Sequence, residues 1–264
     1  MTKNANSREA YESYNLILKN RIKTETTQLN ALVMPGEVNN ESAFTFFEIV
    51  KLNIALTSSY LNSYRLAQHY INSKNDAPLV DARRGLTNAI ITLEKIYTRY
   101  LDVPFSDYEQ PLKQVLHFDE FERYDLICTA GFFCDYLASC YGENSRLRWI
   151  FVELKGRIVT LFKNSFDLKN LLGLLDPRAD NFAKRQQYVN LNRTLMMEAA
   201  NGYRTKYELS GTFEIADFRR AIDYLSALKR FSLMLNQNAL VAELTKQIEV
   251  WTIKLESDLK KREK

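Results

Sequence analysis

The sequence predicts an all-α protein, and three observations carry that expectation. Apolar residues recur at helical spacing along almost the whole chain, and no convincing alternating strand pattern interrupts them. Only 8 glycines and 5 prolines occur in 264 residues, too few for the tight turns of a sheet protein, which draw on positive or fixed φ. A hydrophobic fraction of 46% beside 26% charged residues is that of a folded domain with a real core. We therefore expect about nine helices, mostly long, joined by short connections into antiparallel hairpins. Such hairpins either stack, solenoid-like, as degenerate repeats or close into a compact helical bundle. The whole of 1–264 is read as one domain, with 102–117 and 167–176 as the places where it would subdivide and 260–264 as a frayed tail.

The first helix is expected over 7–32, with Ser7 as N-cap and Pro35-Gly36 ending it. The second, over 40–72, is apolar on two arcs: Phe47, Val50, Ile54 and Leu61 on one, Ile49, Leu52, Leu56 and Tyr60 on the other. A helix apolar over so wide an arc belongs inside a bundle. After the turn Asn75-Asp76-Ala77-Pro78 a third helix runs to Leu101, and Pro104 interrupts there. Ser106 and Glu109 fit a capping box that opens a short helix toward Leu116, although Pro111 falls inside it. Helices over 119–141 and 145–165 follow, separated by a turn in which Gly142 suits a left-handed cap. Asp176-Pro177 is the clearest helix start, an acidic N-cap followed by proline at the first helical position, and that helix runs to Leu209. Ser210-Gly211-Thr212 breaks it before another over 213–235. The last begins near Asn238 and carries a stripe of Val241, Leu244, Ile248, Trp251, Leu255 and Leu259. A stripe of that kind offers a route to a homo-oligomer through the C-terminal helix.

The N-terminal residues are polar with no apolar run behind them, so a secretory leader is not expected. No segment reaches the roughly 18 to 20 apolar residues that span a bilayer, and the most apolar, 149–162, is interrupted by Glu153, Lys155 and Arg157. Cys128, Cys134 and Cys140 stand six residues apart, about 120° around a helix from one to the next. That spacing suits small core residues in a reducing compartment, and the expected location is cytoplasmic, without membrane insertion. The net charge of +4 is unevenly placed. Between Asp102 and Glu143 nine acids face two bases, a net −7, whereas 144–264 carries +8. Such a polarity steers a partner or simply solvates a surface.

Two helices end on Leu-Ala-x-x-Tyr, Leu66-Ala67-Gln68-His69-Tyr70 and Leu137-Ala138-Ser139-Cys140-Tyr141, and Ala199 to Tyr203 is a looser third instance. Small residues let helices approach, and an aromatic one turn on fills the space beside them. On the helix after the first of these stands Ala82-x3-Leu86-x2-Ala89. Together, Leu66, Ala67, Tyr70 and this small-large-small spacing resemble one hairpin of a tetratricopeptide repeat over 60–101. The sequence departs from that family at Ser63, where tryptophan is usual, and its instances recur at about 60 to 70 residues instead of about 34. The resemblance implies a scaffold that binds peptide segments in a concave groove.

Catalytic motifs are few. His69 and His117 are the only histidines and neither sits in an HExxH or Glu-x-x-His pair; Walker, GxGxxG and GxSxG motifs are absent. Asp119, Glu122 and Asp125, three residues apart, could share a helix face and hold Mg²⁺, as an all-α enzyme acting on a phosphate or pyrophosphate requires. Acids also belong in the first turn of a helix for electrostatic reasons alone. Arg178, Arg185, Arg193 and Arg204 fall within about a 100° arc of one helix, a basic stripe that could meet phosphate or an acidic peptide. Val189, Met196, Ala200 and Tyr203 share or border that arc, as on a half-buried face with arginines at its edges. The expectation is thus a scaffold or adaptor that binds a partner protein or peptide, with those arginines as candidate partner-binding residues. No cofactor is expected, nucleic acid is a minor option, and the Mg-dependent enzyme is the alternative.

Overall fold

The computed structural model describes the backbone of residues 2–33, 42–73 and 75–262. Among these residues there are ten helices and no strand, so the chain is all-α. In chain order they are α1 (Thr2–Val33), α2 (Ala43–Ile71), α3 (Ala77–Ile96), α4 (Phe105–Lys113), α5 (Glu120–Tyr141), α6 (Arg148–Asn164), α7 (Leu171–Leu174), α8 (Phe182–Leu209), α9 (Ile215–Met234) and α10 (Asn238–Arg262). They fall into two compact units: unit 1 comprises Met1–Ile96 and Gln114–Ser145, and unit 2 comprises Tyr97–Lys113 and Arg146–Lys264.

Unit 1 is built around α2. Ser42 caps it, its hydroxyl accepting from the Thr45 N–H, and Asn72 ends it in the left-handed conformation at φ 48°. Both apolar arcs are used: Phe47, Val50, Ile54 and Leu61 are buried, and so is Leu56. Tyr14 of α1 lies 6.3 Å from Tyr70, and Ser59 donates to Glu25 at 2.9 Å. Rising α1 numbers meet falling α2 numbers, so this hairpin is antiparallel. The α2–α3 pair is antiparallel in the same way, since Thr57 donates to the Ala82 carbonyl at 3.3 Å and Lys95 sits 5.2 Å from the Phe46 ring. Ala82, Leu86 and Ala89 are fully buried in this hairpin, whereas Leu66, Ala67 and Tyr70 are half-buried. Alongside, α5 runs parallel to α2, with Phe47 4.8 Å from Phe118 and Arg65 5.8 Å from Tyr136.

Unit 2 packs α6, α8, α9 and α10 about one apolar core. Glu153 and Lys155 of α6 pair with Lys206 and Glu198 of α8, at 2.5 and 3.1 Å. Tyr207 stacks on Phe218 and Tyr203 on Tyr224, at 4.9 and 5.7 Å, joining α8 to α9 antiparallel. The C-terminal stripe closes this core: Leu244, Trp251 and Leu255 are buried in it, and Ile248 and Leu259 pack against it. The face expected to offer self-association is therefore spent within unit 2.

Several boundaries differ from expectation, each for a local reason. The third helix stops at Ile96, not Leu101, and the chain beyond it is held by side chains from the end of α6. Asn164 donates to Thr98 and Tyr100, and Lys163 donates to Leu101. The Asp176-Pro177 start yields only a turn, in which Asp176 accepts from the Arg178 N–H at 2.8 Å. Asn181, left-handed at φ 59°, separates it from α8, which begins at Phe182. No capping box forms at Ser106, whose hydroxyl donates to Asp107, while Glu109 pairs with Lys113 and Lys169. Gly142 has φ 81° and ψ 158°, a positive φ that favours glycine but not the left-handed helical cap. The α1 helix already spans Ser7, and α10 continues through Arg262. Pro35, Gly36, Asn40, Glu263 and Lys264 lie outside the described residues.

Candidate functional site

The acidic run at the start of α5 is a helix terminus first. Asp119 is the N-cap, one carboxylate oxygen accepting from the N–H groups of Phe121 and Glu122 at 2.9 and 3.0 Å. Glu120 and Glu122 occupy the first turn, where the exposed N–H groups favour negative charge. Asp119, Glu122 and Asp125 do not converge on a metal position. Among the described residues no group of three or more His, Cys, Asp or Glu side chains is placed to hold a metal ion. Asp119 instead serves as the cap of α5 through one of its two oxygens.

The four arginines are not presented as one stripe. Arg178 lies in the turn ahead of α8. Arg185 is buried at 4% exposure and donates to the carbonyls of Leu174 and Asp180 at 2.8 and 3.1 Å, tying that turn to the helix. Arg193 is half-buried, and Arg204 pairs with Glu208 at 2.9 Å while its guanidinium lies 4.9 Å from the Trp251 ring centre. Val189, Met196, Ala200 and Tyr203 are buried beside them, as the half-buried reading requires.

The cysteines are thiols, none in a disulfide. Burial pushes Cys128 up to about 11, with the Asp125 charge acting in the same direction, and burial also raises Cys140. Thiols held in the protonated state are poor nucleophiles.

What the sequence did not single out is the outer face of α5. Its inner seam, Tyr124, Ile127, Ala130, Cys134 and Leu137, is buried in unit 1. Phe132 is two residues from Cys134, about 200° of helical turn away, and it is 62% exposed. One turn on, Tyr136 stacks against it at 6.1 Å with only 11° between the rings. Phe133, half-buried, lies 5.5 Å from Phe132, and Arg65 from α2 flanks Tyr136. Glu122, Asp125 and Asp135 are exposed on the same helix, whose one basic residue, Arg123, is buried. The result is an aromatic knob set in an acidic surface. Exposing a large aromatic side chain is unfavourable by a few kcal/mol relative to burying it, and aromatic residues with arginine dominate the energetics of protein interfaces.

No helix among the described residues is long and apolar enough to cross a membrane. The family model described as the TP0443 family matches residues 3–259. No curated protein and no solved structure matches the chain.

Proposed function

For a chain that belongs to the TP0443 family, we propose a protein-interaction role: an adaptor that captures an apolar, basic segment of a partner protein on the outer face of α5. The observation that carries this reading is Phe132, solvent-exposed and stacked on Tyr136, in a surface bearing Glu122, Asp125 and Asp135. The aromatic pair would supply the buried anchor and the carboxylates the rim, which governs association rate and selectivity more than affinity. The burial of Ala82, Leu86 and Ala89 in the α2–α3 hairpin supports a tetratricopeptide-like scaffold behind that face. Cysteines kept as thiols accord with a cytoplasmic location.

The test compares tagged wild type, Phe132→Ala and the control Glu243→Ala, on α10, by quantitative mass spectrometry of bound proteins. At least one protein carrying a basic amphipathic segment should be recovered by wild type and control. Its recovery by Phe132→Ala should fall tenfold or more, the scale of a hot-spot truncation of about 2 kcal/mol. The melting temperature should not move, because the side chain is mostly in water. Should every recovered protein bind Phe132→Ala as well as wild type, the reading fails.

A further inference from the structure

We propose that unit 2 contains a binding site for a small carboxylate with an apolar body, built around Lys163. The α6 helix ends on Lys163 and Asn164, and both side chains reach the main chain of 98–101. The Lys163 ammonium donates to the Leu101 carbonyl at 3.0 Å and to Asn164 Oδ1 at 2.9 Å. Next to it opens a cavity of about 490 Å³, within the range that holds small organic ligands. Val103, Pro104, Leu168, Phe231 and Met234 supply apolar wall. Asp102 and Arg230 also line it and pair with each other at 2.6 Å.

Charge decides the ligand class. The lining holds two cations, Lys163 and Arg230, and one carboxylate, Asp102. Arg230 and Asp102 are about half exposed, so their charges are solvated, whereas Lys163 is 7% exposed. Burial lowers the Lys163 pKa to about 8; Asp102 pulls it back up and Arg230 pushes it further down. A buried cation beside amide acceptors gains most from an anion brought into the same low-dielectric space. Apolar walls reward an aliphatic or aromatic body on that anion. A monocarboxylate satisfies both demands, whereas an alcohol of equal length satisfies only the second. Asp223, raised by its own burial and by Asp102, stands two turns before Arg230 on α9 and outside the lining.

Titration calorimetry with octanoate and with 1-octanol on the full chain tests the assignment. Wild type should bind octanoate at least tenfold more tightly than octanol. Lys163→Met, which keeps the length and removes the charge, should weaken octanoate tenfold or more and leave octanol unchanged. Met234→Trp, which fills the cavity and keeps Lys163, should weaken both, and it carries the test should Lys163→Met not fold. Absence of octanoate binding to wild type, or undiminished octanoate binding by Lys163→Met or Met234→Trp, overturns the proposal. Phe132→Ala should bind octanoate like wild type, so failure here is separate from failure of the α5 interface.

Discussion

Gly85 in unit 1 and Gly156 in unit 2 both stand in mid-helix where a second helix comes close, yet they make room for different things. A Cβ on Gly85 would lie 2.8 Å from the Thr57 hydroxyl and 3.2 Å from the Asn53 carbonyl oxygen, which is backbone of α2. The nearest atoms to a Cβ on Gly156 would all be tyrosine side chain: Tyr203 Cε2 at 2.7 Å, Tyr203 Oη at 2.8 Å and Tyr224 Oη at 3.0 Å. Unit 1 thus uses its glycine to bring two helix backbones together, and unit 2 uses its glycine to seat two tyrosines. Two of the buried charges, one from each unit, are also satisfied differently. Glu25 of unit 1 is paired with Arg21 at 2.8 Å and accepts from Ser59, while Lys163 of unit 2 donates to a backbone carbonyl and a side-chain amide. Unit 1 relies on close backbone packing and unit 2 on large polar side chains that must themselves be satisfied.

The largest effect should come from Gly85→Ala. Alanine is the better helix former by about 1 kcal/mol, so a simple propensity argument predicts stabilisation. Overpacking against a backbone that cannot rotate away costs about 3 kcal/mol or more, and the net destabilisation should be about 2 to 3 kcal/mol by chemical denaturation. Thr57→Ala removes the nearer of the two obstacles. In the double variant, part of the loss should therefore return relative to additivity. A Gly85→Ala protein as stable as wild type would break the contrast between the units.

Gly156→Ala should cost less, about 1 to 2 kcal/mol, because a tyrosine ring can tilt where a helix carbonyl cannot. The cost is not zero. Tyr224 is 2% exposed, donates to the Gly156 carbonyl at 2.7 Å and lies 2.9 Å from the Thr160 hydroxyl. Tyr203→Phe should give no rescue, since the ring carbon at 2.7 Å remains after the hydroxyl is gone. Thermal melts of the single and double variants measure this. Rescue by Tyr203→Phe as complete as that expected from Thr57→Ala would erase the distinction.

These contacts also mark where the sequence stops being informative. The burial of α2 on two arcs and the stripe of α10 are periodic within one helix, so Phe47, Val50, Trp251 and Leu255 could be read directly. Asp119 could equally be read as a cap, because its partners are two and three residues away. Lys163 could not, because the carbonyl it binds is 62 residues distant and terminates no pattern of its own. The end of α3 is hidden for the same reason: nothing local shows that Asn164 will hold the chain at Thr98 and Tyr100. Phe132 does not stand out among apolar neighbours, since α5 carries Phe133 next to it and Cys134 beyond. Only the burial of the opposite face reveals that its ring is left in water.

The smallest of these effects concerns pH and sharpens the difference in buried charge. An unfolded lysine titrates near 10.4, and Lys163 in the native state near about 8. Well below pH 8 both states hold the proton and the group contributes almost no slope. Between about 8 and 10.4 the unfolded chain holds more protons than the native one, so stability rises with pH. The rise cannot exceed about 1.4 kcal/mol per pH unit, and about 1 kcal/mol between pH 8 and 9 is the expected size. Subtracting the unfolding free energy of Lys163→Met at each pH removes the other titrating groups from the comparison. The wild-type-minus-variant difference should be flat from pH 6.5 to 7.5 and then climb in favour of wild type. A difference that stays level to pH 9.5, or falls, would mean that Lys163 keeps its proton in the fold. Lys163 would then be as well compensated as Glu25.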